Sequence, residues 1–261
     1  MNSNDRIIPL LRSGEARESV PQFLPPQLYL DFRKDESYQA TLELLLRRIF
    51  DSPTHSRPPL GKPPSFSTAK TPRKWVLVAG SGREDTLSPV IDETSRMLGS
   101  ALAESDFGLV TGGWQGVDRA VARAFATALY TRDSPLDRYL LQVVREDWKP
   151  VFPGGNLVFV APGDEEWTKP LEQADAVVLI EGFGGTLTTG HLARRMGKPV
   201  FPLADTGRDA HTIYAEILRD AQRGGTGKTQ GVSREDFLTL GRSAPSVVND
   251  LMKLLEKVFW S

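Results

Sequence analysis

Residues 73–261 predict a Rossmann-like, doubly wound α/β fold built on a mainly parallel sheet. Three observations carry that expectation: continuous apolar runs rich in β-branched residues, amphipathic segments alternating with them, and glycines where the runs end. Runs without polar alternation suit strands covered on both faces. They occur at Trp75–Ala79, Phe107–Val110, Leu157–Ala161, Ala176–Ile180 and Val200–Leu203. Between the first two, Ser88 and Pro89 supply an N-cap and an N1 proline for a helix burying Ile91, Leu98 and Leu102. Val117, Val121, Ala124 and Ala128 mark the inner face of a second helix. A segment from Leu192 ends at Gly197, a residue suited to the C′ position. Further helices follow at His211–Ala221 and at Val247, Leu251, Leu254 and Val258, whose stripe serves either core packing or self-association. Alternating strands and helices close by right-handed crossovers into such a sheet.

The rest of the chain differs in character. Residues 53–72 hold Pro53, Pro58, Pro59, Pro63, Pro64 and Pro72. Proline fixes φ and removes a backbone donor, so the stretch reads as a semi-rigid linker, with a long surface loop as the alternative. Residues 1–52 contain two candidate strands, Arg6–Leu11 and Leu28–Phe32. A helix follows from about Glu36 with Tyr38, Leu42, Leu45 and Ile49 on one face. Two strands and a helix make a poor independent core, so this segment reads as the end of a domain.

Composition excludes several functions. Among 261 residues, 32 Lys+Arg face 33 Asp+Glu, which leaves no broad basic field for nucleic acid or an anionic membrane. The expectation is a partner that is neither nucleic acid nor membrane. No cysteine is present, so thiolate and Cys-ligated metal chemistry are out, and the three histidines are too scattered for a metal cluster. There is no apolar run long enough to span a bilayer and no signal-peptide pattern at Met1–Arg6, which predicts a cytoplasmic protein.

In open α/β sheets ligands bind beyond the carboxyl ends of the strands. Glycines recur there: Gly80 and Gly82 flank Ser81 before Arg83, Gly112 and Gly113 precede Trp114 and Gly116, Pro162–Asp164 encloses Gly163, and Gly184 and Gly185 precede Thr186. Such turns let a ligand approach the backbone, and a helix starting beyond offers free amides to an anion. One helix terminus contributes only about 0.3–1 kcal/mol to holding an anion, whereas micromolar affinity needs roughly 8 kcal/mol. Arg83 is the candidate bidentate phosphate ligand. Trp114 either stacks on a base or caps the sheet, and Thr186 and Thr188 either bind phosphate or cap a helix. The pattern points to a small nucleotide with at least one phosphate and to no metal. Gly224–Thr229 imitates a P-loop but lacks its first glycine, since position 222 is Gln222, and no strand leads into it.

The segments Ala174–Ile180, Gly184–Thr186 and Val110–Gly113 make residues 74–220 resemble the SLOG superfamily, which includes the LOG phosphoribohydrolases and the DprA/Smf proteins. The resemblance is nearest to the branch fused to TIR or sirtuin-type domains in antiphage systems of the Thoeris type. Ile7–Leu11, Val20–Leu24 and Tyr29–Phe32, in that order, resemble the closing part of a TIR domain, a flavodoxin-like fold. The resemblance implies a sensor of an ADP-ribose derivative, cyclic forms included, or of an NAD-type nucleotide, which needs no cofactor and regulates an attached NAD-cleaving TIR effector, with homo-oligomers expected. It implies that Gly80, Ser81, Gly82 and Arg83 form the first binding loop, Gly112, Gly113 and Gly116 the second, and Gly184, Gly185 and Thr186 the phosphate loop. Where LOG enzymes place a catalytic glutamate this chain has Thr189, and where they place an arginine it offers only Lys169. Catalytic residues are therefore expected to be absent from these 261 residues. The alternative is a LOG-like phosphoribohydrolase in which Glu181 or Asp175 replaces the glutamate, with His191 as a less favoured acid or base.

Overall fold

Every residue of Ala176–Ile180 is fully buried, as five consecutive apolar side chains require, and the sheet is organised around this strand and its neighbour Trp75–Gly80. The computed structural model describes residues 10–13, 30–34, 38, 41–42, 45, 72–80, 87–224 and 228–260. The chain divides into two units, residues 1–68 and 69–261.

In the first unit, β1 (Leu10–Leu11) pairs in parallel with β2 (Leu30–Asp31), with Leu10 opposite Leu30. Leu11, Leu30 and Phe32 are buried, and the Phe32 and Tyr38 rings meet edge to face. Tyr38, Thr41, Leu42 and Leu45 are helical, in the expected stretch. Ile7, Val20–Leu24 and all of the linker except Pro72 lie outside the described residues.

The second unit runs β3 (Trp75–Gly80), α1 (Pro89–Glu104), β4 (Gly108–Thr111), α2 (Val117–Thr131), α3 (Leu136–Tyr139), β5 (Leu140–Arg145), β6 (Asn156–Val160), α4 (Asp164–Gln173), β7 (Ala176–Ile180), α5 (Gly185–Arg195), β8 (Val200–Leu203) and α6 (Arg208–Gly224). It ends with β9 (Lys228–Thr229), β10 (Val232–Ser233), α7 (Arg234–Leu238) and α8 (Val247–Trp260). Six strands form one sheet in the order β6-β5-β4-β3-β7-β8, and every pairing is parallel. From β3 the chain winds outward to β6, and α4 then carries it back to β7 on the other side of β3. The order reverses between β3 and β7, which opens a crevice above their carboxyl ends. Right-handed crossovers put α1 and α2 on one face, where α8 joins them, and α4 and α5 on the other, beside α6.

The expected doubly wound sheet is present, and several local expectations change. β5 is an added strand: Gln142 interrupts its apolar run, yet this side chain is fully buried because its Nε2 donates to the carbonyls of Phe152 (3.0 Å) and Gly154 (2.6 Å). α4 is also additional and carries Pro170 internally. β6 is not covered on both faces but is an edge strand, with Leu157 and Phe159 exposed. The buried stripe of α2 runs through Val117, Val121, Ala122, Phe125 and Leu129 and leaves Ala124 and Ala128 at its margin. α5 begins at Gly185, well before Leu192. Ser88 caps α1 as expected, its Oγ accepting from the Ile91 amide, and Val247, Leu251 and Leu254 of α8 are core residues. Lys228 and Thr229 of the P-loop look-alike form one strand of an antiparallel hairpin, so no helix follows to hold a phosphate. No helix among the described residues is long and apolar enough to cross a membrane.

α1 and α2 touch most closely at Gly99, where a Cβ would lie 2.3 Å from the Val121 carbonyl oxygen. Alanine raises helix propensity by about 1 kcal/mol, but here the obstacle is backbone, which cannot rotate away. Gly99→Ala is expected to lower stability by roughly 1–3 kcal/mol, seen in urea unfolding as a lower midpoint at unchanged slope.

Candidate functional site

The crevice is a cleft of about 350 Å³. Its floor is the end of β3, Leu77 to Gly80. One side is formed by Gly112 and Trp114 from the β4–α2 turn and by Asp118 of α2. The other is formed by Phe183, Gly185, Thr186 and Thr189, and α4 closes it with Glu166, Trp167 and Pro170. Of the sequence-predicted residues, Gly80, Gly112, Trp114, Gly185 and Thr186 therefore come together. Gly113, Gly116 and Gly184 shape the same turns without lining the cleft. Gly113 takes φ 72°, and a Cβ there would stand 2.8 Å from Val144 Cγ2. Ser81, Gly82 and Arg83 lie outside the described residues. The third glycine turn does not converge with the others: Gly163 caps α4, and the helix itself supplies the cleft wall.

Two amides in each of these turns already have an internal acceptor, so part of the expected phosphate cradle is taken. Asp118 Oδ2 accepts from the Gly112 amide (2.8 Å) and the Trp114 amide (3.3 Å). Asp209 Oδ2, at the start of α6, accepts from the Gly184 amide (2.5 Å) and the Leu187 amide (3.1 Å). Each turn thus carries an internal carboxyl group that takes two of its amides.

A second correction concerns acids in the cleft. The absence of the LOG-type glutamate suggested no carboxyl group beside the ligand, yet Asp118 and Glu166 both line the wall. Asp118 is buried, and desolvation pushes its pKa up to about 7 despite the two amide bonds that oppose the shift. Glu166 lies 3.4 Å from an Arg145 guanidinium nitrogen, and its side chain is only 11% exposed. Position in sequence hid this residue, because α4 was not anticipated. Thr189 is also in the cleft, its Oγ1 donating to the Gly185 carbonyl (3.0 Å).

The proposed substitutes for the missing glutamate do not reach the cleft. Asp175 lies at the amino end of β7, where it accepts from the Trp75 amide (2.8 Å) and Lys74 Nζ (3.0 Å). Glu181 turns away with φ 53° and faces Arg208 Nε at 3.5 Å. Burial raises its pKa, and the arginine charge opposes that rise. His191 meets Glu216 (2.9 Å) across α5 and α6, and Lys169 pairs with Glu172 (2.9 Å). Neither lines the cleft.

Aromatic rings frame the mouth. Trp114 lies 4.5 Å from Trp148, centroid to centroid and tilted by 51°, and the Arg145 guanidinium is 5.6 Å from the Trp148 ring. Opposite, Phe183 is half exposed beneath the Arg208 guanidinium at 3.8 Å. Trp114 thus both packs against Trp148 and lines the cleft.

No family model matches the chain, and no curated protein matches it by sequence. Solved structures similar to it include the structural-genomics protein TM1055, 26% identical over 54% of this chain and 81% of that one, with TM-score 0.47. Another is the molybdenum cofactor binding protein from the phototrophic bacterium Rippkaea orientalis, 17% identical over 71% and 98%, with TM-score 0.49. A third is DNA processing protein A from Helicobacter pylori, described for its single-stranded DNA binding mode, 19% identical over 58% and 74%, with TM-score 0.42. This last similarity overturns the expectation of no nucleic-acid partner. Net charge averages over a whole surface, whereas single-strand binding uses local grooves and stacking rings, so the balanced total excludes nothing here.

Because burial raises the folded-state pKa of Asp118 above that of an unfolded chain, its contribution to stability is whole below about pH 4. It is lost as pH climbs through about 7. Asp118→Asn keeps an acceptor for both amides and removes the titration. Between pH 4 and pH 7 the wild-type chain is expected to lose on the order of 3 kcal/mol relative to Asp118→Asn, measured by urea unfolding at each pH.

Proposed function

We propose that residues 69–261 form a sensor that binds a nucleotide-type small molecule, of the ADP-ribose or NAD class, in the cleft between β3 and β7. The observation that carries this reading is the meeting of Gly80, Gly112, Gly185 and Thr186 with three aromatic side chains around one cleft at the strand-order reversal. Its volume suits a small molecule. The SLOG-like segments Val110–Gly113 and Gly184–Thr186 support the same class, and the TIR-like order of residues 7–32 supports coupling to a TIR effector in antiphage defence. On this reading the protein works in the cytoplasm as a homo-oligomer, needs no cofactor, and ligand binding changes the assembly of the effector.

A second reading, hydrolysis of the bond between sugar and base, is favoured by one observation: Asp118 and Glu166 stand in the cleft wall. A carboxyl group of raised pKa in the same cleft wall as a second carboxyl group facing Arg145 is a usable acid–base pair.

Calorimetry of the full chain with NAD, ADP-ribose, cyclic ADP-ribose and AMP tests the sensor reading, and a folded sample that gives no heat with any of them refutes it. Trp114→Ala is expected to weaken binding about 10- to 100-fold, the worth of one base–aromatic stack. Chromatography of the same mixtures after long incubation should show intact nucleotide. Free base that disappears in Glu166→Gln would establish the hydrolase instead.

A further inference from the structure

The titratable side chains among the described cleft residues are the carboxyl groups of Asp118 and Glu166, and this limits what a ligand can place against them. Asp118 commits Oδ2 to the Gly112 and Trp114 amides, and Glu166 directs Oε2 toward Arg145. Among the described residues the second oxygen of each has no hydrogen-bond or ion-pair partner, and both side chains line the cleft. A carboxylate accepts hydrogen bonds and repels phosphate at short range, so this wall calls for donors. The remaining surface there is apolar or aromatic, from Trp114, Trp167 and Pro170, and suits a flat ring. A phosphate belongs away from this wall, and the Arg208 guanidinium over Phe183 offers a cation at the opposite rim.

We infer that Asp118 and Glu166 read the ribose hydroxyls of the ligand, so that the cleft selects ribonucleotides over their 2′-deoxy counterparts. This inference rests on the nucleotide reading above and adds the sugar class to it. Exocyclic amines of a base are the other donors available, but the vicinal hydroxyls of ribose offer two donors to two carboxyl groups. A site built to bond a hydroxyl leaves a desolvated acceptor unpaired when that hydroxyl is missing, which is the source of the discrimination.

The test is calorimetry of the full chain with AMP and 2′-deoxy-AMP, and with ADP-ribose and its 2′-deoxy form. In the wild-type protein the 2′-deoxy ligands are expected to bind on the order of 10- to 100-fold more weakly, the worth of one hydrogen bond to a charged group. Glu166→Gln keeps the side chain's size and is expected to narrow that ratio several-fold while leaving deoxy affinity nearly unchanged. Asp118→Asn, checked for folding by circular dichroism, should narrow it as well. Equal or tighter binding of the deoxy ligands by the wild-type chain overturns the ribose inference and leaves the sensor reading standing, as does a ratio untouched by both variants. A lower affinity for ribo and deoxy ligands alike in Glu166→Gln also overturns it. A folded protein that binds none of the four refutes the sensor reading and the ribose inference together.

Discussion

Backbone amides in tight turns and at helix starts must find an acceptor, and in this chain two aspartates provide it from within for four of them. Asp118 satisfies Gly112 and Trp114, and Asp209 satisfies Gly184 and Leu187. The consequence reaches beyond local stability. With these carboxyl groups in place, part of the amide set that the glycine spacing suggests is already taken. On the proposed reading, recognition then falls to the walls, where Asp118 and Glu166 present acceptors and Trp114 and Trp167 present flat apolar faces.

The β7–α5 and β8–α6 turns are locked to each other more tightly than either sequence segment suggests. The Glu181 amide donates to Thr206 Oγ1 (2.8 Å), the Ala210 amide donates to the Glu181 carbonyl (2.9 Å), and Asp209 reaches back to the α5 terminus. Glu181 and Arg208 both hold left-handed backbone conformations, at φ 53° and 50°, which cost side-chain-bearing residues free energy. Their surroundings over-determine these angles: Arg208 both faces Glu181 and stacks on Phe183. The rim of the cleft beside Phe183 is therefore a preorganised structure.

The sheet was readable because burial on both faces leaves a plain mark: Ala176–Ile180 and Val200–Leu203 are apolar throughout and end where expected. β5 escaped notice because Gln142 sits within it, and a buried amide looks polar until the carbonyls of Phe152 and Gly154 come into view. α4 escaped because Pro170 argues against a helix interior. From the site, Gly80, Gly112, Trp114, Gly185 and Thr186 were legible because strand-end glycines announce turns. Glu166 was not, since it enters from a helix that crosses the sheet between its two halves.

By itself, then, the order of amino acids determined which segments become strands and helices and where the turns above the sheet must fall, because periodicity and glycine act over a few residues. Only the tertiary structure decided what those turns can bind. The acceptor for the Gly184 amide lies 25 residues away at Asp209, and Glu166 of α4 lines the same cleft as Asp118 of α2. The charge of a binding cleft depends on distances through space, and the chain's own spacing does not record them.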